Sequence, residues 1–77
     1  MDYEKYINRA IMNIGKLQSG TLFTLKELFR GIDWNNIPGG ERRELGRRFK
    51  YEVKSGKIPN VTYVSKAENN SSQYIKQ

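Results

Sequence analysis

Between Glu41 and Ser55 the sequence writes two opposed faces onto one helix, and this segregation constrains the fold more than any other feature. At ~100° per residue, Leu45, Phe49 and Val53 fall within one arc, whereas Arg43, Arg47, Lys50 and Lys54 fall within another. The first arc has to be covered by other elements, and the second has to stay in water. Arg48 and Tyr51 lie beside the cationic arc, and Glu44 and Glu52 lie off it, so the positive stripe is not expected to be cancelled along its length. Gly56 follows as the expected left-handed cap.

What can cover the apolar arc is limited by a chain of 77 residues without cysteine, which is expected to form one domain over 1–77. A fold of this size buries only ~60% of its unfolded surface, so its apolar residues must lie on a few facing stripes. Ile7, Ala10, Ile11, Ile14 and Leu17 recur at helical spacing and predict a first helix from Tyr3 to Leu17, which Gln18-Ser19-Gly20 ends. Leu22 and Phe23 suit a short strand. Thr24-Leu25-Lys26-Glu27 has the pattern of a capping box and predicts a second helix, with Leu25, Leu28 and Phe29 inward and Gly31 at its end. Ile32 to Gly40 reads as a connector holding Trp34 and Pro38-Gly39-Gly40. Beyond Gly56, Ile58 to Ser65 and Tyr74-Ile75 have strand composition, and Ala67 to Ser72 forms the turn between them. Helix, short strand, helix, helix and hairpin in this order give an α+β fold, a winged helix-turn-helix with three helices and a small β-hairpin wing.

Charge narrows the functions available to such a fold. The net charge of +6 attracts polyanions, whether a nucleic acid or an anionic membrane surface. No apolar run approaches the ~18 residues of a spanning helix, and Met1-Asp2-Tyr3-Glu4 is unlike a secretory start, so a cytoplasmic protein is expected. The absence of histidine and cysteine removes the usual metal ligands and nucleophile-base pairs, so neither a metal nor another cofactor is expected. Asp2, Glu4, Glu27, Asp33, Glu41, Glu44, Glu52 and Glu68 are scattered rather than paired, and Gly39-Gly40 lacks the setting of a phosphate loop. No enzyme is expected.

Arg43, Arg47, Lys50 and Lys54 would place cations at a pitch that tracks phosphates. The same stripe also fits a plain solvated face, because lysine and arginine are good helix formers. Its place on the third helix of a candidate helix-turn-helix favours nucleic acid, provided that these groups are neither locked into internal ion pairs nor covered. Lys66, Asn69 and Asn70 in the wing could hold a backbone or a groove edge, and equally suit an ordinary polar turn. Tyr51, beside the cationic arc, is the tyrosine placed to stack an unpaired base, while Tyr63, Tyr74, Trp34, Phe23, Phe29 and Phe49 read as packing residues.

The run Phe23-Thr24-Leu25-Lys26-Glu27-Leu28-Phe29, Trp34, Arg43 with Leu45-Gly46-Arg47-Arg48-Phe49, Val53, Gly56, and Asn69-Asn70 before Tyr74 resembles a family of small proteins. These are the single-stranded-DNA-binding winged-helix proteins encoded by staphylococcal cassette chromosome elements, with relatives in Gram-positive bacteria and phages. The likeness spans Leu22 to Tyr74. It implies binding of unpaired DNA during replication of a mobile element, and it makes Arg43, Arg47 and Arg48 the leading contact residues. Lys50 and Lys54 rest on helical geometry alone, and the first helix matches nothing specific.

The expected function is therefore non-catalytic binding of single-stranded DNA with low sequence specificity, with replication proteins of the same element and self-association as further partners and no membrane. Two rivals stand beside it. One is a duplex-binding transcriptional regulator, normally dimeric on paired half-sites. The other is a protein-interaction or inhibitor module whose basic helix docks on an acidic partner.

Overall fold

A computed structural model describes residues 2–66 and 72–77. Its helices are α1 (Tyr3–Ile14), α2 (Gly31–Asn35) and α3 (Gly39–Lys54), and its strands are β1 (Leu22–Thr24), β2 (Val61–Lys66) and β3 (Ser72–Lys76). A 3-10 turn, Leu25–Leu28, separates β1 from α2. The strands form one antiparallel sheet in the order β1-β3-β2. This is the winged helix-turn-helix, an α+β fold whose hairpin β2-β3 is completed by the short strand that follows α1.

Asp2 caps the start of α1 by accepting the Lys5 amide at 3.1 Å. The helix ends at Ile14, one turn before its apolar stripe does, and Leu17 packs on the core from the turn beyond. No basic residue of α1 itself stands in its last turn, and Lys76 fills that role from the far end of the chain, donating through Nζ to the Ile14 carbonyl at 3.0 Å. A second tie holds α1 to the 3-10 turn, where Asn13 Nδ2 donates to the Leu28 carbonyl at 2.6 Å.

The capping box at Thr24 and Glu27 forms, with Glu27 Oε1 accepting the Thr24 amide at 2.9 Å. It does not open the two-turn helix that the pattern predicts. Phe29 and Arg30 are extended, so the helix is cut to a single 3-10 turn, and Gly31 begins α2 where it was expected to end a helix. Burial explains the difference. A 3-10 turn sets residues i and i+3 on one side, which buries Leu25 and Leu28 together, and the extended step then turns Phe29 inward as well. The expected connector Ile32 to Gly40 thus contains most of α2.

α3 starts two residues before the expected Glu41, with Pro38 at the N-cap. Its end follows the prediction closely: Gly56 has φ 77°, its amide donates to the Val53 carbonyl at 3.1 Å, and the Lys57 amide donates to the Glu52 carbonyl at 3.0 Å. Leu45, Phe49 and Val53 are buried, as the apolar arc requires.

At the centre of the core lies Tyr74. It sits opposite Phe23 on one side and Tyr63 on the other, so three aromatic rings cross the sheet in one row. Phe23 stacks on it at 5.7 Å between centroids, and Phe49 meets it edge-on at 5.0 Å, which locks α3 to the sheet. Burial pushes the Tyr74 hydroxyl up to about 12.

Candidate nucleic-acid interface

The flank of α3 that adjoins Leu45, Phe49 and Val53 forms one wall of a cleft of about 600 Å³. Along this wall Gly39, Arg42, Arg43, Gly46, Arg47 and Lys50 recur at spacings of three and four, one helical stripe. Thr24 closes the cleft from the end of β1, Leu25 and Lys26 from the 3-10 turn, Trp34 from α2, and Lys66, Ser72 and Tyr74 from the wing. Cations therefore reach it from three separate elements. Among the described residues no carboxylate lines it.

Four of the expected contact residues, Arg43, Arg47, Lys50 and Lys66, come together here. Lys54, one turn beyond Lys50, continues the stripe: the ammonium groups of Lys50 and Lys54 lie 4.6 and 4.9 Å from the centre of the Tyr63 ring. Both cations are thereby steadied by an aromatic face rather than neutralised by an acid.

Arg48 and Tyr51 are not part of this group. They face a second cleft between α1 and α3, shared with Tyr3, Ile7 and Ile11, and Arg47 stands on the ridge that borders both. Arg48 lies flat over Tyr3, 4.4 Å from the ring centre, and Tyr51 is 65% exposed with the Lys57 ammonium 5.7 Å from its ring. Asn69 and Asn70 lie outside the described residues.

Glu44 departs from the expectation that the acidic residues leave the stripe untouched. Its carboxylate accepts from Arg47 at 2.7 and 2.8 Å and from Arg48 at 2.8 Å. These arginines hold it below the usual carboxylate range. The stripe is cancelled in part, at its α1 edge. Arg47 nevertheless keeps 77% of its side chain exposed, and Arg43, Lys50 and Lys54 form no ion pair among the described residues.

Three contributors were missed from the sequence, and Lys26 of the 3-10 turn is the first of them. Arg42, three residues before Leu45 and seven before Phe49, falls inside the apolar arc, and a charged residue at a core position was the available signal. Trp34 was assigned to the core. It is half-buried, packs on Phe29, and lines the cleft.

Fold and site together define a winged helix-turn-helix protein with a cationic cleft between its third helix, its wing and the turn after its first strand. The chain belongs to the family described as a domain of unknown function, DUF1413, whose model matches residues 8–76. It is similar to a solved structure described as "SCCmec type IV LP1413 - nucleic acids binding protein", with 31% identity and a TM-score of 0.70 over 96% of this chain and 91% of that one. The resemblance read from Leu22 to Tyr74 is thereby borne out as one to a family with a member on a staphylococcal cassette chromosome element. No curated protein matches the chain.

Proposed function

We propose that this protein binds single-stranded DNA without catalysing a reaction and with low sequence specificity, through the cationic cleft along α3. The observation that carries this reading is the convergence of Lys26, Arg42, Arg43, Arg47, Lys50 and Lys66 on one recess that no described carboxylate lines. Such a recess neutralises phosphates and releases their counterions. Support comes also from the similar protein, which is described as nucleic-acid-binding.

The strand preference has a geometric argument. These cations line a cleft between elements, so phosphates must enter between the wing and the 3-10 turn. A flexible single strand can bend into such a recess, whereas a stiff duplex offers its phosphates only along a convex surface. The cleft side of α3 carries arginine, lysine and glycine in place of the Asn, Gln, Ser and Thr expected of an operator-reading helix, which favours backbone contact over base reading. A role in replication of a mobile element, together with that element's replication proteins, is part of the proposal; the similar protein's description ties it to an SCCmec element and to nucleic acids. No described helix is long and apolar enough to cross a membrane.

Competition among labelled single-stranded DNA, duplex DNA and RNA at two salt concentrations tests the reading. Single-stranded DNA is expected to bind tightest, across unrelated sequences, with affinity falling steeply as salt rises. Preference for one duplex sequence, or absence of binding to any of the three, overturns it. Loss of the gene is expected to lower the copy number of the element that carries it, and an unchanged copy number would remove the replication role.

A further inference from the structure

The placement of Trp34 goes beyond charge and deepens the proposed function, on which it rests. Its indole is backed by Phe29, with ring centroids 5.8 Å apart and planes at 33°, and it also borders the cationic cleft. An aromatic ring fixed from behind, in a cleft that Lys26, Arg42 and Arg43 also line, has the two components of a single-strand site: a flat surface for a base, and cations for the neighbouring phosphates.

Two further features point the same way. Arg42 Nε is buried and has no hydrogen-bond partner among the described residues, although buried donors are almost always satisfied. Nε itself is covered, so what Arg42 offers a ligand is the part of its side chain that lines the cleft. Gly46 leaves the helix wall bare: a Cβ built there would have no atom within 4 Å. Open space in a cleft that an aromatic ring also lines is what a flat ligand needs.

We infer that Trp34 stacks one unpaired nucleobase of a bound single strand, while Arg42, Arg43 and Lys26 hold the neighbouring phosphates. A paired base in a duplex has both faces already covered by its neighbours. The indole thereby selects against duplex, which the cations alone do only through shape.

Trp34 is the sole tryptophan of the chain, so its fluorescence reports this site directly. The full chain is titrated with oligo(dT), with an abasic strand of equal length and with a duplex. Binding is followed separately by anisotropy of a label on the DNA. Oligo(dT) is expected to quench the emission by about half, whereas the abasic strand binds about ten-fold more weakly and leaves the emission nearly unchanged. Trp34→Leu is expected to lose about ten-fold in affinity for oligo(dT) and almost nothing for the abasic strand. If that variant fails to fold, the fluorescence of the unsubstituted protein still decides. Oligo(dT) that binds without quenching, or abasic or duplex DNA that quenches equally, overturns the stacking site and leaves the proposed function standing. Absence of binding by anisotropy overturns both.

Discussion

Arg47 grips Glu44 through two of its nitrogens, with Nε 3.0 Å from one carboxylate oxygen and Nη2 2.7 and 2.8 Å from the two of them. Arg48 takes the same carboxylate from the next position, at 2.8 Å. Glu44 is thus the internal rival of an incoming phosphate for two arginines, and it lines the second cleft beside Arg47, which borders both. Because the pair is exposed, water and salt keep it weak. It can be exchanged for a better anion.

Glu44→Gln is therefore expected to raise affinity for single-stranded DNA by about five-fold at low salt, with little change in thermal stability. Acid should act in the same direction. The carboxylate is held below its ordinary range, so the pairing is intact above that range and is lost as the pH falls through the depressed value. Anisotropy of the variant at neutral pH checks this, and a weakened affinity would show that Glu44 orders Arg47 and Arg48 for binding.

Arg43 and Lys50 line the cleft without an ion pair among the described residues, so they are the cleanest probes of it. Replacing both with glutamine is expected to lower affinity at least about ten-fold and to make the log-log salt dependence shallower by about 1.4, the loss of two phosphate contacts. Melting should shift by no more than a few degrees, because neither residue belongs to the core. An unchanged salt slope would place the strand elsewhere.

Gly46 tests stability against binding at one position. Helix interiors favour alanine over glycine by about 0.5–1 kcal/mol, and a Cβ here would meet nothing within 4 Å. Gly46→Ala is expected to raise the melting temperature by a few degrees, while Gly46→Leu, which fills the cleft, is expected to lower affinity at least about ten-fold. Full affinity in the leucine variant would mean that the ligand stays out of the recess.

Tyr74 makes stability sensitive to alkali. Its hydroxyl keeps its proton up to about 12 in the fold, against 10.0 for an ordinary tyrosine. Below pH 10 both folded and unfolded chains are protonated, and the contribution is complete. Between about pH 10 and 12 the unfolded chain releases its proton first, and up to about 3 kcal/mol drains away. Denaturant unfolding across this interval should show that decline, and Tyr74→Phe should be flatter than the unsubstituted protein by that amount. Parallel pH curves would contradict the burial argument.

The middle of the chain shows what local pattern can and cannot carry. Thr24 and Glu27 form their capping box because the two residues need only each other. How far the helix runs beyond them is set by where Leu25, Leu28 and Phe29 find neighbours, and these come from α1, α2 and the sheet. The prediction of a helix ending at Gly31 therefore failed although its first turn was read correctly. The same limit applies to Trp34. Its size favoured the core, and only the packing of α2 left one part of it at the cleft.

The sequence by itself determined the two faces of α3 and its glycine cap, because these depend on residues within one or two turns of one another, and strand composition marked β1 and the hairpin although their pairing is long-range. It also determined the sign of the charge. Tertiary structure alone decided which cations share a cleft, since Lys26, Arg43 and Lys66 meet only once α3, the 3-10 turn and the wing are packed around Tyr74. It decided likewise that Arg48 faces α1. Periodicity fixes a residue's angle on its own helix, but what lies across from that angle belongs to another part of the chain.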